Sequence, residues 1–176
     1  MDPRITVVVT DITTLSMDAI VNAAEPTLRG GGGVDGAIHR AAGPRLADYC
    51  KNIGGCQTGD AKITPGFDLP SRHVIHTVGP VWTGGDEKGE DELLASCYKR
   101  SLHVAMDNKV RTIAFPAIST GAYRFPGGRA ADIAVRTVTD VIKRRKEIDL
   151  VLFCCFSPAA GELVEARLKA LETAHG

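Results

Sequence analysis

Ala19-Ile20-Val21-Asn22-Ala23-Ala24-Glu25-Pro26, followed by Gly30-Gly31-Gly32-Gly33-Val34-Asp35-Gly36-Ala37-Ile38-His39-Arg40-Ala41-Ala42, decides the fold class of this chain. The apolar run at 19–24 has the length of a buried strand, and Glu25-Pro26 ends it. Consecutive glycines then carry the chain into a short helix over 36–42, with Asp35 in position to cap it. Strand, glycine loop and helix in that order make half of a βαβ unit. The pattern recurs downstream. A buried-looking strand over 112–117 leads into Ser119-Thr120-Gly121-Ala122-Tyr123-Arg124-Phe125-Pro126-Gly127-Gly128. A helix from about residue 129 follows, with Ala131, Ala134, Val135, Val138, Val141 and Ile142 along one stripe.

The remaining elements fall around these two units. Residues 5–9, 61–64, 73–78 and 149–156 read as further strands, the last continuously apolar at Leu150-Val151-Leu152-Phe153. Gly43-Pro44 stops one helix and starts another, with Leu46, Cys50 and Ile53 on a common face. Leu94, Tyr98, Leu102 and Ala105 recur at helical spacing over 91–108, and Ser157-Pro158 opens a terminal helix with Val164, Leu168 and Leu171 inward. The expected fold is a three-layer α/β/α domain with a central mixed, mostly parallel sheet. Sheets of that kind bind ligands outside the carboxyl ends of their strands, where both glycine loops can lie. At 176 residues the chain reads as a single domain over 1–176.

Composition narrows the function classes. Hydrophobic residues make up 44% and charged residues 24%, which are globular proportions. Lys and Arg balance Asp and Glu at 21 each, so the overall field draws in neither nucleic acid nor an anionic membrane. Affinity for a phosphate-bearing ligand then has to come from local geometry. No stretch reaches the roughly 18 to 20 apolar residues of a bilayer-spanning helix, and no signal-peptide segment follows Met1. The five cysteines lack CxxC or zinc spacing, so free thiols, a cytoplasmic location and no metal are expected.

The glycine loop carries the chemistry. Gly31-Gly32-Gly33-Val34-Asp35-Gly36 satisfies GxGxxG literally, yet residues intervene between strand and loop, and no acidic partner stands where the dinucleotide fingerprint needs one. No Gly-Lys-Ser/Thr follows, which excludes a Walker A loop. The physics survives: bare backbone amides and a helix N-terminus make an anion cradle. Asp35 has two readings, as the helix cap or as a carboxylate at the mouth of a phosphate site, orienting water. His39 and His76 lack metal-spaced partners and read as hydrogen-bonded structural histidines. Cys154-Cys155 read as buried inert thiols, and Lys143-Arg144-Arg145-Lys146 as cations at a helix end.

Val21-Asn22-Ala23-Ala24, residues 30–43, Val74-Ile75-His76-Thr77-Val78-Gly79-Pro80 and Phe115-Pro116-Ala117-Ile118-Ser119-Thr120-Gly121 together resemble the signature of the MacroD-type macrodomains. The resemblance runs in order from about residue 5 to 156 and is nearest to the bacterial O-acetyl-ADP-ribose deacetylases of that family. It implies a cleft for ADP-ribose, with no metal or redox cofactor. Asp11 would accept from the adenine amino group, with the Ile12 backbone beside it. Gly32, Gly33, Val34 and Asp35 would line the pyrophosphate and distal ribose, with Asn22 nearby. Ser119, Thr120, Gly121, Ala122, Tyr123 and Arg124 would close over the other side, with Arg124 either clamping phosphate or pointing into solvent, and Phe125 against the distal sugar. Phe156 would stack on adenine, unless it is a core residue.

The resemblance further implies hydrolysis of ADP-ribosyl esters, on O-acetyl-ADP-ribose or on mono-ADP-ribosylated acidic side chains of proteins, with Asp35 positioning or activating water. Glu25 stands where the family usually has Asn. Either it weakens the site, leaving an ADP-ribose reader with little turnover, or it supplies a stronger general base than Asp35. Nucleic-acid binding is a third reading that the balanced charge disfavours. A monomer that contacts neither nucleic acid nor membrane is expected.

Overall fold

The β-branched run Ile5–Val9 forms β1, and a 3-10 turn at Ile12–Thr14 leads to β2, Ala19–Ala23. Helices α1 (Gly33–Ala42) and α2 (Pro44–Lys51) follow, then β3 (Ala61–Pro65) and β4 (His73–Thr77). Helix α3 (Glu90–Asp107), β5 (Thr112–Phe115), α4 (Gly127–Ile142), β6 (Leu150–Cys155) and α5 (Pro158–His175) complete the order. The coordinates are a computed structural model and describe residues 2–175.

The strands form one sheet in the order β1-β6-β5-β2-β4-β3. Every pairing is parallel except β3 with β4, so the carboxyl ends of five strands share one edge. Each inner strand alternates its apolar side chains between two cores. Ile20, Val74, Ala114 and Leu152 pack with Ile38, Ala42, Leu46 and Cys50 of α1 and α2. Val21, Ile75, Ile113 and Val151 pack with Leu94, Leu102, Ala134, Val138 and Leu168 of α3, α4 and α5. Burial on both faces is why these strands are mostly apolar rather than alternating, with Asn22, His76 and Thr77 as buried polar exceptions. The architecture is the expected three-layer α/β/α arrangement.

Two helix starts differ from the sequence reading. Helix α1 begins at Gly33 and is capped by Gly32, with no side-chain cap hydrogen bond. Asp35 therefore sits inside the first turn instead of capping it. Helix α4 likewise begins at Gly127, two residues before the expected start. In both cases the last glycines that read as loop, Gly33 at α1 and Gly127-Gly128 at α4, belong to the helix's own first turn. Among the described residues no helix is long and apolar enough to cross a membrane.

Candidate active site

A cavity of about 590 Å³ opens along the shared carboxyl edge of the sheet. The segment after β1 supplies Asp11 and Ile12, the segment after β2 supplies Glu25, and the start of α1 supplies Gly32, Gly33, Val34 and Asp35. Ser119, Thr120, Gly121, Ala122 and Tyr123 come from the loop after β5, and Phe156 from the end of β6. Ala130, Ala134, Leu163 and Val164 of α4 and α5 close the back. Of that wall, Ala134 and Val164 read from the sequence as core-facing alone, because a helical stripe does not say which of its residues border a void.

Three of the expected contacts lie elsewhere. Asn22 is fully buried, behind Asp35 rather than on the cavity wall. Arg124 is exposed, at a left-handed φ of +64°, and does not line the cavity. Phe125 is 2% exposed, with its ring centroid 4.7 Å from that of Trp82. The loop turns it inward, because the Phe125 N–H donates to the Ser119 carbonyl at 2.8 Å and the Arg124 N–H to that of Gly121 at 3.0 Å. Phe156, by contrast, is 92% exposed at the rim. That excludes its reading as core.

Asp35 is buried at 4% exposure. Its Oδ1 accepts from Asn22 Nδ2 at 2.8 Å, and His39 Nε2 stands 3.4 Å from the same oxygen. Burial pushes the carboxyl above its usual range and Glu25 adds to this, while the Asn22 bond and His39 oppose it. Oδ2 faces the glycine loop, 3.2 Å from where a Gly31 Cβ would lie. The cap of helix α1 is Gly32, which has no side chain, and Asp35 turns inward to Asn22, so among the described residues no side chain caps its first N–H groups. Such uncapped donors at a helix N-terminus suit an anion.

Glu25 behaves differently. It accepts from the Thr27 N–H at 2.9 Å, the Arg29 N–H at 2.8 Å and the Thr27 hydroxyl. Partial burial raises its pKa, but those bonds outweigh it and leave the carboxyl below its usual range. It is an ionised clasp for the loop after β2. Asp11 likewise caps the 3-10 turn, accepting from Thr13 N–H at 2.9 Å and Thr13 Oγ1 at 2.7 Å, which keeps its carboxyl low.

The glycines divide by what they tolerate. Gly33 has φ +58°, so any side chain there is strained, whereas Gly32 has φ −92° and open space around its Cβ position. Gly32→Phe is therefore expected to fold with a loss of about 1 kcal/mol at the helix cap. It should also fill the cavity mouth and lower ligand affinity at least tenfold, read by titration calorimetry beside a melting curve.

The family profile described as Macro domain matches residues 21–134. A macro domain-containing protein of Methanosarcina mazei is 60% identical, with 88% of this chain and 82% of that protein covered. The O-acetyl-ADP-ribose deacetylase of Klebsiella pneumoniae is 58% identical, covering 85% of this chain and 87% of that one. Among solved structures, a Trypanosoma brucei macrodomain in complex with ADP-ribose superposes with a TM-score of 0.87 at 40% identity, over 93% of this chain and 68% of that one. With the cavity at the sheet's carboxyl edge and the glycine loop at the start of α1, these likenesses make the chain a member of the Macro domain family.

Proposed function

We propose that the cavity binds ADP-ribose and hydrolyses ADP-ribosyl esters, namely O-acetyl-ADP-ribose and mono-ADP-ribose carried on acidic side chains. The observation that carries this reading is one carboxylate, Asp35, fixed by Asn22 beside an uncapped helix N-terminus in the same cavity. The α1 amides hold the diphosphate, the loop at 119–123 covers it, and the apolar wall of α4 and α5 receives the base under Phe156. A diphosphate between two sugars suits a neutral chain whose anion affinity is built from backbone donors. The likeness to a relative named O-acetyl-ADP-ribose deacetylase supports the same substrate class.

The reaction needs one water. With Oδ1 held by Asn22, Oδ2 accepts a proton of that water and aims its oxygen at the acyl carbon. The acyl C–O bond breaks, the ribose oxygen leaves with the proton that Asp35 took, and the products are the carboxylic acid, which then ionises in water, and ADP-ribose. In this reading Asp35 carries the water, while Glu25 shapes the loop and adds a second negative charge near Asp35.

Titration calorimetry and acetate release from O-acetyl-ADP-ribose test the proposal. Uptake with release supports it, uptake without release leaves a binding module, and no uptake at millimolar ligand overturns it. Phe156→Ala is expected to weaken ADP-ribose binding by roughly 5- to 100-fold, the range for losing one base–aromatic stack. Its melting temperature should hold, because the ring is exposed. Unchanged affinity would remove Phe156 from the base site.

A further inference from the structure

Behind Asp35 runs a line of polar side chains that the cavity does not reach. Asn22 on β2 and His76 on β4 are paired in register. Thr64 on β3 pairs with Val74, two residues from His76, so its side chain lies diagonally beside the imidazole on the same face. That face is the one covered by α1 and α2, since Ile20 and Val74 share it. Asn22, Thr64 and His76 are all buried.

The hydrogen bonds along this line have a direction. Thr64 Oγ1 donates to the Pro65 carbonyl at 3.1 Å, so toward His76 Nε2, 2.9 Å away, it accepts. The His76 proton is thereby assigned to Nε2, and Nδ1 is left as an acceptor. Asn22 Nδ2 stands 3.1 Å from Nδ1 and 2.8 Å from Asp35 Oδ1, and its two protons serve both. The orientation leaves Asn22 Oδ1 buried with no partner. An orphaned buried acceptor is costly, and what it secures here is the pair of donor bonds on the other side of the amide.

We infer that Thr64 and His76 are positioning residues for Asp35: the threonine hydroxyl selects the imidazole tautomer, and the tautomer holds the Asn22 amide with its protons toward the carboxylate. This rests on the reading of Asp35 as the group that positions water. The opposite tautomer would set Nδ1–H against Nδ2–H. The amide would then rotate and turn its oxygen onto the Asp35 carboxylate, which ionises less readily in that company. Burial, with His39 adding to it, lowers the His76 pKa to about 3, so tautomer and not charge is the variable. The other groups facing Asp35 are His39 on α1, Glu25 after β2, Tyr123 in the loop after β5 and Cys50 on α2, its thiol pushed up to about 11. None of these is altered by a change at Thr64.

Thr64→Val keeps the shape and removes the acceptor. Histidine ¹⁵N spectra should show His76 protonated at Nε2 in the wild-type protein and at Nδ1 in the variant. The Asp35 carboxyl, followed by ¹³C, should titrate about one pH unit higher in the variant, the scale of one hydrogen bond to a charged group. The acid limb of ester hydrolysis should move with it, and Thr64→Ser, which retains the hydroxyl, should restore both. A wild-type His76 protonated at Nδ1, or an Asp35 midpoint unmoved in Thr64→Val, overturns the inference. The tautomer is read on the wild-type protein, so the test stands even where the valine variant folds poorly. Should the chain hydrolyse no ester, the functional reading fails while the two spectroscopic readouts still decide this one.

Discussion

Asp35→Asn is expected to lower hydrolysis of an ADP-ribosyl ester at least a hundredfold, hold or tighten ADP-ribose binding, and raise the melting temperature at pH 7. The first effect follows from losing a carboxylate that accepts a water proton, a contribution of roughly 10²–10⁴ in rate. The second follows from removing a negative charge beside two phosphates. The third is a matter of linkage. Burial raises the Asp35 pKa in the folded state, with the Asn22 bond opposing it. A carboxyl raised on folding contributes stability that is complete below its unfolded pKa and is lost as pH rises through the folded value. The wild-type protein loses it as pH passes above that folded value, whereas an amide has nothing to ionise. The gap between the two melting temperatures should therefore be widest at neutral pH and close toward pH 3. Retained hydrolysis would take Asp35 out of the mechanism. Equal melting temperatures at neutral pH would mean that its ionisation is not strained by burial.

The reach of the sequence has physical limits that particular residues illustrate. The inner strands were legible because helices cover both faces, which keeps their sequences mostly apolar. The glycine loop was legible as an anion cradle because few other functions need four consecutive glycines. Asp35 was legible as a residue that matters, with two readings open, and of these the helix-cap reading is the one the structure does not bear out, since Gly32 caps α1. What turns it inward is Asn22, 13 positions away on strand β2, and local pattern carries no such tertiary pull. His76 reads from the sequence as a hydrogen-bonded structural histidine, and it is one, but that Asn22 and Thr64 are its partners is hidden for the same reason. The meeting of Thr64 and His76 depends on a strand register, and a threonine in a short strand gives no hint that its hydroxyl faces an imidazole. Phe156 and Phe125 exchange the surroundings an apolar count suggests. The first lies one residue past the end of β6 and is exposed, and the second is folded under its own loop.

Phe125→Ala is expected to cost about 3–5 kcal/mol of stability and to lower the melting temperature by roughly 10 °C. The ring is buried among the residues that anchor the loop over the cavity. It packs on Trp82, whose backbone N–H donates to the Tyr123 carbonyl at 2.8 Å. The Arg129 guanidinium lies over the other aromatic partner, 5.0 Å from the Trp82 ring centroid, and is held there by Asp91 with Nε to Oδ1 at 2.8 Å. Removing the ring leaves a void under residues 119–123 and frees a loop that is otherwise tied at both ends. Affinity for ADP-ribose should then fall about tenfold, as the cost of reordering that loop on binding. Phe125→Leu, which fills most of the volume, should recover most of the stability and most of the affinity together. The two quantities moving in step is the signature of a buried support. Affinity lost in Phe125→Ala at an unchanged melting temperature would instead place the ring in the cavity against the sugar, as the family resemblance implies, and would contradict its packing on Trp82.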